Sequence, residues 1–162
     1  MSRMKNVAEF LYGVQKKKQD LDGTTKLEGP VHDRKNVLDL KILVAVDISG
    51  SISADQYKQF MQQIEKIKGL SVVKVLETDT SVQAFYTYKK GRSGAIRLQG
   101  GGGTEFSKAF VKIKEVQPDA VLFMTDGFVG GPSKNPGVPV GWVLTSNGRK
   151  PFQFGEVVVQ LP

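Results

Sequence analysis

Asp47, Ser49 and Ser51 occupy alternate positions just beyond the apolar run Lys41-Ile42-Leu43-Val44-Ala45-Val46. Such spacing gathers oxygen-bearing side chains on one loop, and oxygen is the donor that a hard divalent cation takes. Thr104 follows the glycine run Gly100-Gly101-Gly102-Gly103, and Asp126 sits in Thr125-Asp126-Gly127, directly after the apolar stretch Ala120-Val121-Leu122-Phe123-Met124. Together the five residues suit Mg²⁺ or Mn²⁺ rather than Zn²⁺. With the hydroxyls as direct ligands and the two aspartates holding bound waters, an ion here is strongly electrophilic and keeps a position open for a partner's carboxylate. The helix expected after Ser51 adds the attraction of its positive end for anions.

Other chemistries fit these residues less well. Asp, Ser and Gly are also ordinary turn residues, so the Asp47, Ser49, Ser51 group alone is equally a strand-end turn; Thr104 and Asp126 favour the metal. The glycine run is not followed by Gly-Lys-Ser/Thr and lacks the spacing Gly-x-Gly-x-x-Gly, so a tight loop bringing Thr104 to the ion is preferred over a phosphate cradle. An aspartyl-nucleophile phosphatase wants Asp-x-Asp, whereas Ser49 stands at the second place. A metal-dependent phosphate-ester hydrolase could draw a base only from Asp47, Asp79, Asp126 or Glu105, and no nucleophile–base pair accompanies them. Asp79 reads as a turn residue, Glu105 as a first-turn residue complementing a helix dipole, and Trp142 as core. Phe128 rims the site, as a partner contact if it is exposed.

These loops need a sheet to hold them. An apolar run bounded by turn residues suits a central parallel strand, whose carboxyl end is where open α/β sheets place ligands. Ser53 and Gln56 form a capping box before Tyr57, Phe60, Met61, Ile64 and Ile67, which share one helical face, and Gly69 marks a helix end. Leu70 to Leu76 is expected as a second strand and Val82 to Tyr88 as a third. The short turn between them, Glu77 to Ser81, demands an antiparallel pair. A helix is expected from Glu105 to Val116, ended by Pro118, with Phe106, Ala109, Phe110, Ile113 and Val116 inward. Strands follow at Ala120–Met124, Val140–Leu144 and Glu156–Leu161. The pattern predicts a doubly wound, Rossmann-like α/β sheet of about six mostly parallel strands, one of them antiparallel, with helices on both faces. Ahead of it, residues 1–37 carry one amphipathic helix (Val7, Phe10, Leu11, Val14) and an irregular connection; residues 38–162 form the α/β domain.

The chain of 162 residues is 40% hydrophobic and 24% charged, which are globular values for one domain. It has no cysteine and one histidine, His32, read as a surface residue, so disulfide frameworks, zinc ribbons and two-histidine zinc sites are excluded. No apolar run reaches the roughly 18 residues of a membrane span. Residues 1–15 lack a signal-peptide pattern, so a cytoplasmic protein is expected. The net charge of +7 raises nucleic-acid binding through basic loops, at Lys16-Lys17-Lys18 and around Lys89-Lys90-Gly91-Arg92. No arginine-rich or aromatic-interleaved stripe accompanies them.

Asp47-x-Ser49-x-Ser51, Thr104 in a glycine-rich loop and Asp126 in Thr-Asp-Gly resemble, in order and in residue type, the metal-ion-dependent adhesion site of the von Willebrand factor A (VWA) domain. The resemblance spans roughly residues 38–161. Gly-Gly-Gly-Gly-Thr104-Glu105-Phe106, Met124-Thr125-Asp126-Gly127, Gly141-Trp142-Val143-Leu144 and Phe152-Gln153-Phe154-Gly155-Glu156 look like a bacterial VWA-like branch found behind a metallopeptidase domain. This sequence departs from that arrangement in having no peptidase-like segment before residue 38, and it looks short of helices after the second and fifth strands. The resemblance implies a metal-dependent protein-binding module whose partner offers an acidic residue. It also implies work in complex assembly or with an AAA+ ATPase of the MoxR kind. Nucleic-acid binding ranks behind that reading and hydrolysis behind both.

Overall fold

The computed structural model describes residues 6–22, 40–67, 69, 71–89, 105–130 and 135–162. In chain order the elements are α1 (Val7–Asp22), β1 (Lys41–Asp47), α2 (Ala54–Ile67), β2 (Val72–Thr78), β3 (Val82–Thr87), α3 (Ser107–Val116), β4 (Ala120–Thr125), β5 (Val140–Leu144) and β6 (Glu156–Gln160). The strands form one sheet in the order β3-β2-β1-β4-β5-β6. All neighbours are parallel except β2 and β3, which form the expected antiparallel hairpin. After β1 the chain turns to β2 on one side, and β4 later docks on the other. The gap between the carboxyl ends of β1 and β4 is therefore the topological switch point, where ligands of open α/β sheets bind.

The two central strands are buried on both faces, which is why they read as unbroken apolar runs. Ile42, Val44 and Val46 of β1 pack into one layer with α1 and α2; Leu43 and Ala45 point to the other, with α3. The α1 face predicted from spacing, Val7, Phe10, Leu11 and Val14, is buried in the first layer beside Phe60, Met61 and Ile64 of α2. The amino-terminal helix thus shares the core of the sheet. Gly141 permits part of that contact: a Cβ there would lie 3.1 Å from the Phe10 ring and 3.0 Å from Leu122. Asn6 caps α1 by accepting from the Glu9 backbone N–H at 2.8 Å. In α2 the capping box is reciprocal, Ser53 N–H to Gln56 Oε1 at 2.9 Å and Gln56 N–H to Ser53 Oγ at 3.1 Å.

The opposite layer is aromatic. Phe123 stacks on Trp142 at 4.7 Å and on Phe106 at 5.3 Å, and Phe110, Phe152 and Phe154 close around them. Trp142 is fully buried, and its Nε1–H donates to Phe154 O at 2.9 Å. Phe152 and Phe154 belong to the β5–β6 connection, residues 145–155, which crosses over without a helix. Their rings cover sheet that a crossover helix would otherwise cover.

Three expectations shift. The second strand runs two residues further than Leu70–Leu76 suggests, to Thr78. Glu77, assigned to a turn by sequence, is instead a buried strand residue that accepts hydrogen bonds from Tyr57 and Tyr86. Glu105 is not in the first turn of α3, which starts at Ser107; it lies before the helix in an isolated parallel bridge to Gly130. Burial, followed by the neighbouring Glu77 carboxyl, pushes the Tyr57 hydroxyl far above its ordinary value, so it stays a donor. Tyr57→Phe is expected to cost about 1–3 kcal/mol in urea unfolding, because Glu77 loses a donor where water cannot replace it.

Candidate metal site

β1 delivers Asp47 to the switch point, where it is completely buried. Its Oδ1 accepts from the Ser49 backbone N–H at 2.8 Å, and its Oδ2 accepts from Thr125 Oγ1 at 2.7 Å. The first bond shapes the loop after the strand, together with Ile52 N–H donating to Ser49 O at 3.0 Å and Ile48 N–H to Thr78 O at 2.9 Å. This turn brings Ser49 Oγ and Ser51 Oγ to 3.2 Å of one another. Ser49 is buried and Ser51 exposed, so the pair bridges interior and solvent.

β4 supplies the facing side. Thr125 Oγ1 donates to Asp47 and accepts from Gly127 N–H at 3.0 Å, which clasps the ends of β1 and β4. Asp126 is buried, and its Oδ1 accepts from Phe128 N–H at 3.0 Å. Its carbonyl accepts from Arg149 N–H at 3.0 Å. Burial first of all, and the nearby Asp126 charge in addition, push the Asp47 carboxyl above its ordinary value, against the hydrogen bonds from Thr125 and Ser49. The ion pairs among the described residues, Lys18–Asp119 and Lys112–Glu115, involve neither aspartate. Two buried carboxylates thus share a sheet edge with no ion-pair partner among the described residues, a costly arrangement unless something positive compensates.

The donor set fits a small divalent ion. Adjacent corners of an octahedron with bonds of about 2.1 Å lie about 3 Å apart, close to the 3.2 Å between the serine hydroxyls. Among the described residues no three His, Cys, Asp or Glu side chains gather as an ion site. An ion at this edge would therefore use hydroxyls as well as carboxylates. Of the five residues expected from sequence, Asp47, Ser49, Ser51 and Asp126 converge; Thr104 lies outside the described residues, as do His32, Lys90 and Arg92.

Sequence reasoning passed over Thr125, although its hydroxyl is what joins Asp47 to the Asp126 strand. The available signal was a hydroxyl residue ending a buried apolar strand one place before the aspartate. Asp79 stands at the end of β2 as a turn residue, its Oδ1 accepting from Ser81 N–H at 3.0 Å and Gln83 Nε2–H at 3.1 Å. Burial pushes its carboxyl up, but these bonds and others from nearby backbone N–H groups outweigh that and hold it below its ordinary value. A depressed carboxyl stabilises the fold above its unfolded value and loses that contribution as pH falls through the folded one. Asp79→Asn is therefore expected to lower stability by about 1 kcal/mol at pH 7, with the difference from wild type vanishing in unfolding curves taken toward pH 2.

Such a sheet, with its switch point between the first and fourth strands, is the compact α/β architecture that VWA-like domains have. Residues 42–161 match the family described as VWA-like domain (DUF2201), and the chain belongs to it. VWA-like domains are in general non-catalytic protein-interaction modules. An uncharacterized protein of Thermotoga maritima is 28% identical over 95 residues, which cover 57% of this chain and 24% of that protein. The chain thus spans about a quarter of the length of this relative. The crystal structure of an aerotolerance-related membrane protein from Bacteroides fragilis NCTC 9343, with multiple mutations to serines, is similar in fold. Its TM-score is 0.50 at 16% identity, covering 64% of this chain and 66% of that one. In the present chain, no described helix is long and apolar enough to cross a membrane.

Proposed function

We propose that this domain is a metal-dependent protein-binding module in which a partner's acidic side chain completes the coordination of a Mg²⁺ or Mn²⁺ ion. One observation carries the reading. Two buried aspartates, Asp47 and Asp126, lie close together at the switch point, joined by no ion pair among the described residues and set beside a pair of hydroxyls spaced as cis ligands. Ser49, Ser51 and Thr104 would hold the ion directly, and Asp47 and Asp126 through water. The ion would supply an electrophilic open position for the incoming carboxylate. Asp47 also fixes the serine loop through Ser49 N–H, and Thr125 keeps that loop in register with Asp126. The domain would act in the assembly of a larger complex, with an AAA+ ATPase of the MoxR kind as the first partner to test.

Affinity capture from a lysate of the source cells, with the full chain as bait, tests the reading. Partners retained in Mg²⁺ and released by chelator are expected, and an Asp47→Ala bait should not retain them. A set of partners identical with and without chelator contradicts it.

A further inference from the structure

Next to the candidate ion site lies an open hollow of about 550 Å³, lined among others by Phe128, Val129, Arg149, Lys150 and Pro151. Among the described residues that line it, none is acidic. Phe128 is 49% exposed, and the Arg149 guanidinium lies over its ring at 5.0 Å from the centroid. A guanidinium stacked in this way keeps its N–H edge for a carboxylate. The Lys150 ammonium donates to Gln153 O and Gly155 O, both at 3.0 Å, so its charge is held in place beside the hollow.

The hollow is tied to the ion site through the backbone. Gly127 follows Asp126 directly, with φ of +82°, and a Cβ on it would fall 1.6 Å from Arg149 O. Arg149 N–H donates to Asp126 O at 3.0 Å. The basic wall and the aspartate of the ion site are therefore held at a fixed spacing. A ligand reaching the ion with one acidic group meets an aromatic face and two cations immediately alongside.

Resting on the function proposed above, we infer that the Phe128–Arg149–Lys150 hollow receives a second acidic side chain of the same partner segment. The partner is then a peptide stretch with two nearby carboxylates, one for the ion and one for Arg149. Positive charge in a hollow whose described lining holds no carboxylate, anchored to a site that calls for a carboxylate, is the complementarity that selects such a segment.

The test uses the full chain and fluorescein-labelled Gly/Ser nonapeptides carrying one glutamate, or two glutamates separated by one or two residues. Anisotropy is read in Mg²⁺ and in chelator. A two-glutamate peptide is expected to bind about fivefold tighter than the one-glutamate peptide, the upper range for one exposed ion pair. Arg149→Gln should abolish that preference. Lys16→Glu, a charge reversal on the exposed face of α1, should retain it. Equal binding of all peptides, no binding of any, or an equal loss in Lys16→Glu overturns the second subsite. If Mg²⁺-dependent binding persists without a two-glutamate preference, the ion reading survives and the hollow is excluded. If the preference depends on Arg149 yet persists undiminished in chelator, the hollow stands and the ion reading falls.

Discussion

Replacing Asp47 by asparagine is expected to make the metal-free protein more stable at neutral pH while weakening Mg²⁺ binding by about 100-fold, the upper range for a residue that holds the ion through water. The side chain has the shape to keep its local bonds. Asn Oδ1 can accept from Ser49 N–H as the aspartate does, and the amide can donate to Thr125 Oγ1, which has acceptor capacity beyond its bond from Gly127. What disappears is a buried charge close to Asp126. The folded Asp47 carboxyl is raised above its ordinary value of 3.8, so its contribution to stability is complete below the unfolded value and is lost as pH rises through the folded one. Wild type in chelator therefore carries a penalty at pH 7 that the variant lacks. Ion binding reverses the order: at a hundredfold excess over Kd, Mg²⁺ should stabilise wild type by about 2.7 kcal/mol and leave Asp47→Asn almost unmoved. Urea unfolding with and without Mg²⁺ reads both effects. An asparagine variant less stable than wild type in chelator, or stabilised equally by Mg²⁺, contradicts this account of Asp47.

Gly127→Ala is expected to cost more than about 3 kcal/mol. A non-glycine residue at positive φ costs about 1–3 kcal/mol by itself. Here the added methyl would also meet a backbone oxygen, Arg149 O, at 1.6 Å, and no rotamer change can relieve that. Either the Thr125–Phe128 turn or the strand-end loop carrying Arg149 must move, breaking the Arg149 N–H to Asp126 O bond. The melting temperature should fall by roughly 6–12 °C, and Mg²⁺ affinity should drop with it. Gly137→Ala is the control: φ is +80°, but among the described residues nothing lies within 4 Å of the added Cβ, so backbone strain dominates and the loss should be smaller.

Much of this architecture was legible because its central elements are simple. Ala120–Met124 is buried on every residue and reads as an uninterrupted apolar run; the α2 face from Tyr57 to Ile67 keeps helical spacing and a full capping box. The short connection after β2 also dictated an antiparallel neighbour, as found. The site was legible to the extent that its side chains follow strand ends, which placed Asp47, Ser49, Ser51 and Asp126 at one sheet edge. Glu77 and Thr125 were missed for a common reason: each is a polar residue whose partners come from elsewhere in the chain. Glu77 enters the core because Tyr57 and Tyr86 donate to it, and periodicity contains no trace of such pairings. Glu105 was misplaced because its backbone N–H is engaged by Asp79 O rather than by a helix turn. The position of α1 was open for a related reason, since an amphipathic face shows that something covers it but not what does.

Calorimetric titration of Mg²⁺ into the metal-free full chain tests the central claim most directly. One site per chain is expected, with Mn²⁺ competing for it and with binding lost in Asp126→Ala. A chain that takes up neither ion, or that binds Mg²⁺ equally well without Asp126, contradicts the claim.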